Sequence, residues 1–191
     1  ADPHLYESNA QNAAAISTAD ILIVNGLGYD DFVTKITASS HSGHRVELSA
    51  AKIVGAGNQD NPHIWYDLSK VQLVAAQIES ALVVKDPAHS REYAKNLKVF
   101  EESLEPLVAA TAKIKSEYAG AAVAYTERVP EYLLRNAGLR ITTPAGFALA
   151  IEDGNDPSPG DTATMRTYIT NHSIKVLLYN QQAITPVTQS L

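Results

Sequence analysis

The sequence contains no cysteine, and only one methionine and one tryptophan among its 191 residues. Without cysteine there are no disulfides and no thiolate ligands, so any metal chemistry has to run through imidazole and carboxylate groups. Long hydrophobic runs are also missing. The longest run of Ile, Leu and Val is the four residues Ile21-Leu22-Ile23-Val24, far short of the ~18 apolar residues that a membrane-spanning helix requires. The N-terminus carries neither a basic start nor an apolar signal core. Positive charge is in deficit: 15 Lys and Arg stand against 21 Asp and Glu, a net charge of −6. No basic stripe is left to neutralise phosphates, which argues against nucleic acid as a partner. What remains is the composition of a globular domain, 45% hydrophobic and 19% charged. The length suits one large domain or two small ones with a real core.

Among the residues that are present, one short motif occurs twice. Asn61-Pro62-His63-Ile64-Trp65-Tyr66-Asp67 holds the only Trp and a His fixed behind a Pro, and Asp2-Pro3-His4-Leu5-Tyr6-Glu7 repeats its plan. Both read Asx-Pro-His, an aliphatic residue, then an aromatic. Each is followed by a helix start, Ser8 or Asn9 before an Ala-rich run and Asp67 before Leu68-Ser69-Lys70-Val71. A His held in the same loop context at two points predicts two ligands brought to one centre.

The intervening pattern alternates strand and helix. Ser8 to Ala19 reads as a helix and Ile21 to Val24 as a strand buried on both faces, closed by Asn25-Gly26. Tyr29 to Ala38 has helical spacing, Arg45 to Leu48 is a short strand, and Leu68 to Val84 is an amphipathic helix with Val71, Val74, Ile78 and Leu82 on one face. Asp86-Pro87 then starts a very long helix. Tyr93, Leu97, Phe100, Leu104, Leu107, Thr111, Ile114 and Tyr118 step alternately by four and three, which predicts a core stripe. Unbroken from Pro87 to Tyr118, that helix would be about 48 Å long; Pro106 lies off the stripe and kinks it without ending it. Beyond Gly120 the alternation resumes, with strands at Ala121 to Tyr125, Leu139 to Thr142 and Ile174 to Tyr179. Helices are expected at Val129 to Asn136, from Pro157 to Asn171, and from Thr185 onward. The expectation is an α/β fold of two lobes joined by a long spanning α-helix, divided as 1–85, 86–119 and 120–191. The cleft between the lobes is the default ligand site.

Taken together, the two Asx-Pro-His motifs, Ile21 to Leu27, Ala124-Tyr125-Thr126-Glu127, Asp156-Pro157-Ser158-Pro159 and Tyr179-Asn180-Gln181 resemble the metal-binding (zinc/manganese) substrate-binding proteins of ABC transporters, the cluster A-I family. The resemblance runs over the whole chain in the right order. It implies one divalent ion, manganese or zinc, carried as transported ligand in the inter-lobe cleft and delivered to a membrane permease. It also implies an extracytoplasmic location, in the periplasm or as a cell-surface lipoprotein anchored through a lipidated N-terminus outside this sequence. Carried over residue by residue, the metal ligands are His4, His63 and Glu127. The fourth, an acid, is expected beyond Leu191, and each lobe is expected to lack a βα piece, so that the sequence is truncated at both ends. Family members that favour zinc tend to have His at the third ligand position and a His-rich loop before the second motif. Glu127 and the His-free loop from Gly55 to Asp60 therefore lean towards manganese, although zinc outbinds manganese at most nitrogen and oxygen sites.

Blander alternatives stand beside each residue. His63 can simply pack on Trp65 or make a hydrogen bond. His4 can be a frayed terminal residue. Glu127 can be an acid favoured by a helix N-terminus. His41 and His44 read as solvated, His89 and His172 as surface helix residues, Asp67 as a helix cap, and Asp156 and Asp161 as turn or cap residues. No catalytic residue is expected. The competing function is a metal-dependent hydrolase with a His/His/Glu site, a ligand set that does occur in catalytic zinc centres. Against it, the sequence has no HExxH and no second acid placed as a general base.

Overall fold

Two parallel sheets are built on short apolar strands. The computed structural model describes residues 9–39 and 43–191, and within it the chain divides between Pro106 and Leu107 into two units. In the first, α1 (Ala10–Thr18) is held open by a reciprocal cap. The Asn9 side chain accepts the Asn12 N–H at 3.0 Å, and the Asn12 side chain accepts the Asn9 N–H at 3.2 Å, which satisfies two of the donors every helix start leaves over. Strand β1 (Ile21–Val24) pairs in parallel with β2 (Val46–Ser49), Ile21 opposite Val46 and Val24 opposite Ser49. Leu22 and Val24 bury against Ile16 of α1 and Val33 of α2 (Asp31–Ser39).

The other face of β1 departs from the expected double burial: Ile23 is 49% exposed. It faces an apolar groove of about 310 Å³ lined by Trp65, Phe100 and the Val71, Val74 and Ile78 side of α4 (Leu68–Lys85). The continuous apolar run thus records two apolar faces, of which helices pack closely on only one. Short α3 (Ala50–Ile53) buries Ala50 and Ala51 with Ile64 beneath Val74.

A single 3₁₀ turn at Pro87–His89 leads into α5 (Ser90–Tyr118), 29 residues long and continuous through Pro106, a span of about 43 Å. The predicted core stripe is not core. Among its members only Leu104 is buried, while Leu107 is 52%, Ile114 40% and Tyr118 56% exposed. The period correctly marks an apolar face, but periodicity cannot say whether anything lies on it.

In the second unit β3 (Ala122–Tyr125) lies between β4 (Arg140–Ile141) and β5 (Val176–Leu178), all parallel. All four β3 residues are buried, as a central strand covered on both faces requires. Val123 and Tyr125 pack with Leu134 of α6 (Glu131–Asn136). Ala124 packs with Phe147 and Ile151 of α7 (Ala145–Glu152) and Met165 of α8 (Pro159–Thr170). Helix α7 is absent from the sequence reading, although Phe147 is fully buried. Its apolar residues are interspersed with Ala and follow a Pro, so no polar face sets off a period. Ser158 caps α8 by accepting the Asp161 N–H at 3.1 Å. His172 lies just past that helix and not within it, at a positive φ of 52°. Helix α9 (Pro186–Gln189) starts at a Thr185 cap.

Candidate metal centre

In the first unit, His63 is positioned from the end of β1. Gly26, Leu27 and Gly28 follow one another at φ 83°, 56° and 82°. A Cβ on Gly26 would come within 3.1 Å of both the Ala51 Cβ and the Ser49 Oγ, so glycine is required there both for its backbone conformation and for the close approach. The Asp30 carboxylate closes this turn by accepting the N–H groups of Asn25 at 2.5 Å and Gly26 at 2.9 Å. Asn25 then donates its side-chain amide to the Pro62 carbonyl at 2.9 Å. That bond ties the end of the strand to the Asn-Pro-His loop.

His63 itself is 1% exposed. Asn61 Oδ1 accepts the backbone N–H of His63 at 3.0 Å and lies 2.6 Å from its Nδ1. A carboxamide oxygen only accepts, so Nδ1 carries a proton, and in the neutral imidazole Nε2 then holds the lone pair. This is the tautomer of a metal-ligating His whose other nitrogen is held by an outer partner. Tyr29 and Trp65 approach the imidazole edge-on, with ring centroids 5.9 and 5.2 Å away. The alternative of packing on Trp65 and making a hydrogen bond is therefore met by His63. Asp67 is a cap, as expected: its Oδ1 accepts the Ser69 hydroxyl at 2.7 Å and the Lys70 N–H at 3.5 Å.

In the second unit, Glu127 follows the last residue of β3 by two and is 2% exposed. Its neighbours hold it on both sides. The Thr126 N–H donates to the Leu178 carbonyl at 2.9 Å. Arg128 donates its backbone N–H to Glu152 Oε1 at 2.5 Å, and its Nε and Nη2 to Glu152 Oε2 at 2.9 and 2.7 Å. Burial works against the Arg128 charge, but the hydrogen bonds and charge of Glu152 outweigh it and raise its pKa further. Burial, aided by the charge of Glu131, likewise lifts the Tyr125 phenol well above its ordinary value. The Glu127 carboxylate receives the side-chain amide of Asn180 at Oε1.

His4 and its motif lie outside the described residues, as does His41. Among the described residues no three His, Asp or Glu side chains gather as a metal-binding group. His44 and His89 are exposed, the latter 2.6 Å from Asp86, and Asp161 accepts the Ser158 hydroxyl at 2.9 Å. The sequence reading missed Tyr29, Glu152 and the roles of Asn61 and Asn180. Asn61 left a signal as the Asx common to both motifs, and Asn180 as part of the Tyr179-Asn180-Gln181 segment.

The folding pattern described above, two parallel α/β units with one long helix crossing the division between them in the sequence, is shared with a solved metal-bound substrate-binding protein. The Mn²⁺ complex of the substrate-binding protein FpvC from Pseudomonas aeruginosa superimposes with a TM-score of 0.80 at 25% identity, over 100% of this chain and 71% of that one. The family model described as "Zinc-uptake complex component A periplasmic" matches residues 1–191, and the chain belongs to this family. The high-affinity zinc uptake system protein ZnuA of Bacillus subtilis is 25% identical over 213 residues, covering 100% of this chain and 64% of the relative. The iron ABC transporter substrate-binding lipoprotein MtsA of Streptococcus pyogenes is 28% identical over 119 residues, covering 56% of this chain and 38% of the relative. The chain thus spans less than two thirds of the length of these two curated relatives.

Proposed function

We propose that this protein captures a divalent transition metal, manganese or zinc, outside the cytoplasmic membrane and delivers it to the permease of an ABC transporter. His4, His63 and Glu127 act as metal ligands, and the chain performs no catalysis. The observation that carries this reading is His63, a buried imidazole whose Nδ1 is committed to Asn61 so that Nε2 is the electron-pair donor. Support comes from Glu127, a buried carboxylate at the end of a central parallel strand, where ligand-binding residues of α/β folds gather. Imidazole with carboxylate suits first-row divalent ions. The names of the relatives specify zinc for one and iron for another, and the superimposed FpvC holds Mn²⁺, so the family tolerates several such ions. The hydrolase reading gains no support from these relatives.

Titration with manganese and with zinc tests the proposal, with hydrolysis of model esters and peptides assayed in parallel. We expect one site per chain, lost in His63→Ala and weakened at least tenfold in Glu127→Gln, without turnover. Binding that survives both substitutions, or metal-dependent turnover, would refute it.

A further inference from the structure

We propose that Asn180 is a positioning residue that confines Glu127 to coordination through one oxygen and so biases the ion held there towards zinc over manganese. The inference rests on the preceding reading that Glu127 binds the ion. Tyr125 of β3 lies opposite Leu178 of β5, so two residues further on Glu127 and Asn180 leave neighbouring strands side by side. The Asn180 side chain has both ends assigned. Its Oδ1 accepts the Gln182 N–H at 2.9 Å, which leaves the amide nitrogen to face the carboxylate, and that nitrogen donates to Glu127 Oε1. The turn at 180–182 thereby fixes which end of the amide meets the acid.

Glu127 is 2% exposed, so water is a poor substitute for this donor, and the bond gains strength from the low local dielectric and the charge on the acceptor. An oxygen engaged in this way is a weak second ligand. The carboxylate then binds an ion through its other oxygen alone, which holds the coordination number down. Zinc accepts four ligands in tetrahedral geometry, whereas manganese takes octahedral, oxygen-rich sites and profits from a bidentate carboxylate. This bias runs against the lean towards manganese that the identity of Glu127 suggests.

Asn180→Ala tests the inference, with zinc and manganese affinities measured by competition against a chelating dye. The infrared splitting between the asymmetric and symmetric carboxylate stretches of ¹³C-glutamate-labelled protein reports the binding mode. We expect zinc affinity to fall by about 10- to 100-fold, as outer partners of metal ligands typically cost, manganese affinity to fall less or rise, and the splitting of the metal-loaded protein to narrow towards the bidentate pattern. Asn180→Ser keeps an acceptor for the Gln182 N–H but is too short to reach Glu127, and gives the same readings if the alanine variant does not fold. Equal losses for both metals, or an unchanged splitting, overturn the inference. If Glu127→Gln leaves both affinities untouched, the assignment of Glu127 as ligand fails instead.

Discussion

One side-chain oxygen decides what His63 can do. Asn61 Oδ1 takes both the backbone N–H and the Nδ1 proton of His63, and without it the imidazole could turn over or change tautomer. Asn61→Leu, which removes the acceptor and keeps the volume, should weaken zinc binding by about 10- to 100-fold. Asn61→Asp should retain it, because a carboxylate still accepts and adds favourable charge. The N-terminal copy of the motif carries Asp2 at the equivalent position. Metal competition together with ¹⁵N imidazole shifts checks both points; a leucine variant with unchanged shifts and affinity would show that Asn61 has no such hold.

Short segments between a strand and the next helix do the positioning at the scale of elements. Between β3 and α6, Arg128 is anchored on Glu152 of α7, whose side chain is only 6% exposed against 23% for Arg128. Removing one partner of such a pair leaves a partly buried charge uncompensated. Glu152→Ala should therefore destabilise the second unit by about 3 kcal/mol, at the low end of the range for buried pairs because Arg128 keeps some solvent. Replacing both residues by Arg128→Met and Glu152→Leu should recover most of that loss. Urea unfolding monitored on both variants gives the comparison; equal stability of wild type and Glu152→Ala would mean that the pair fixes nothing. Helix α5 shows a different balance. Pro106 lacks an N–H for the helical ladder, yet the helix continues through it, so the remaining turns outweigh one missing bond and one steric clash.

For the molecule as a whole, binding and stability are linked. A metal bound by the folded chain and not by the unfolded one adds about 2.7 kcal/mol to the unfolding free energy at a concentration 100 times its Kd. Zinc should therefore raise the thermal midpoint, EDTA should return it, and His63→Ala should abolish the shift. A midpoint that moves equally in the variant would place the stabilising metal elsewhere.

What the sequence by itself determined is what short-range physics encodes. The caps at Asn9 and Asp67, the helix starts around Pro157 and Thr185, the strands at Ile21 and Ala122 and the helix that survives Pro106 follow from neighbours a few residues away, whereas Glu127 as a candidate ligand came from the family resemblance. Only the tertiary structure decided which apolar faces are covered. It covers one side of β1 and leaves half of the α5 stripe exposed, because a period records a face and not its neighbour. The partners of Glu127 and of its neighbour Arg128 were equally out of reach. Asn180 meets Glu127 across 53 residues, and Glu152 meets Arg128 across 24. Hydrogen bonds of that span are set by strand register and helix packing, and no local pattern announces them.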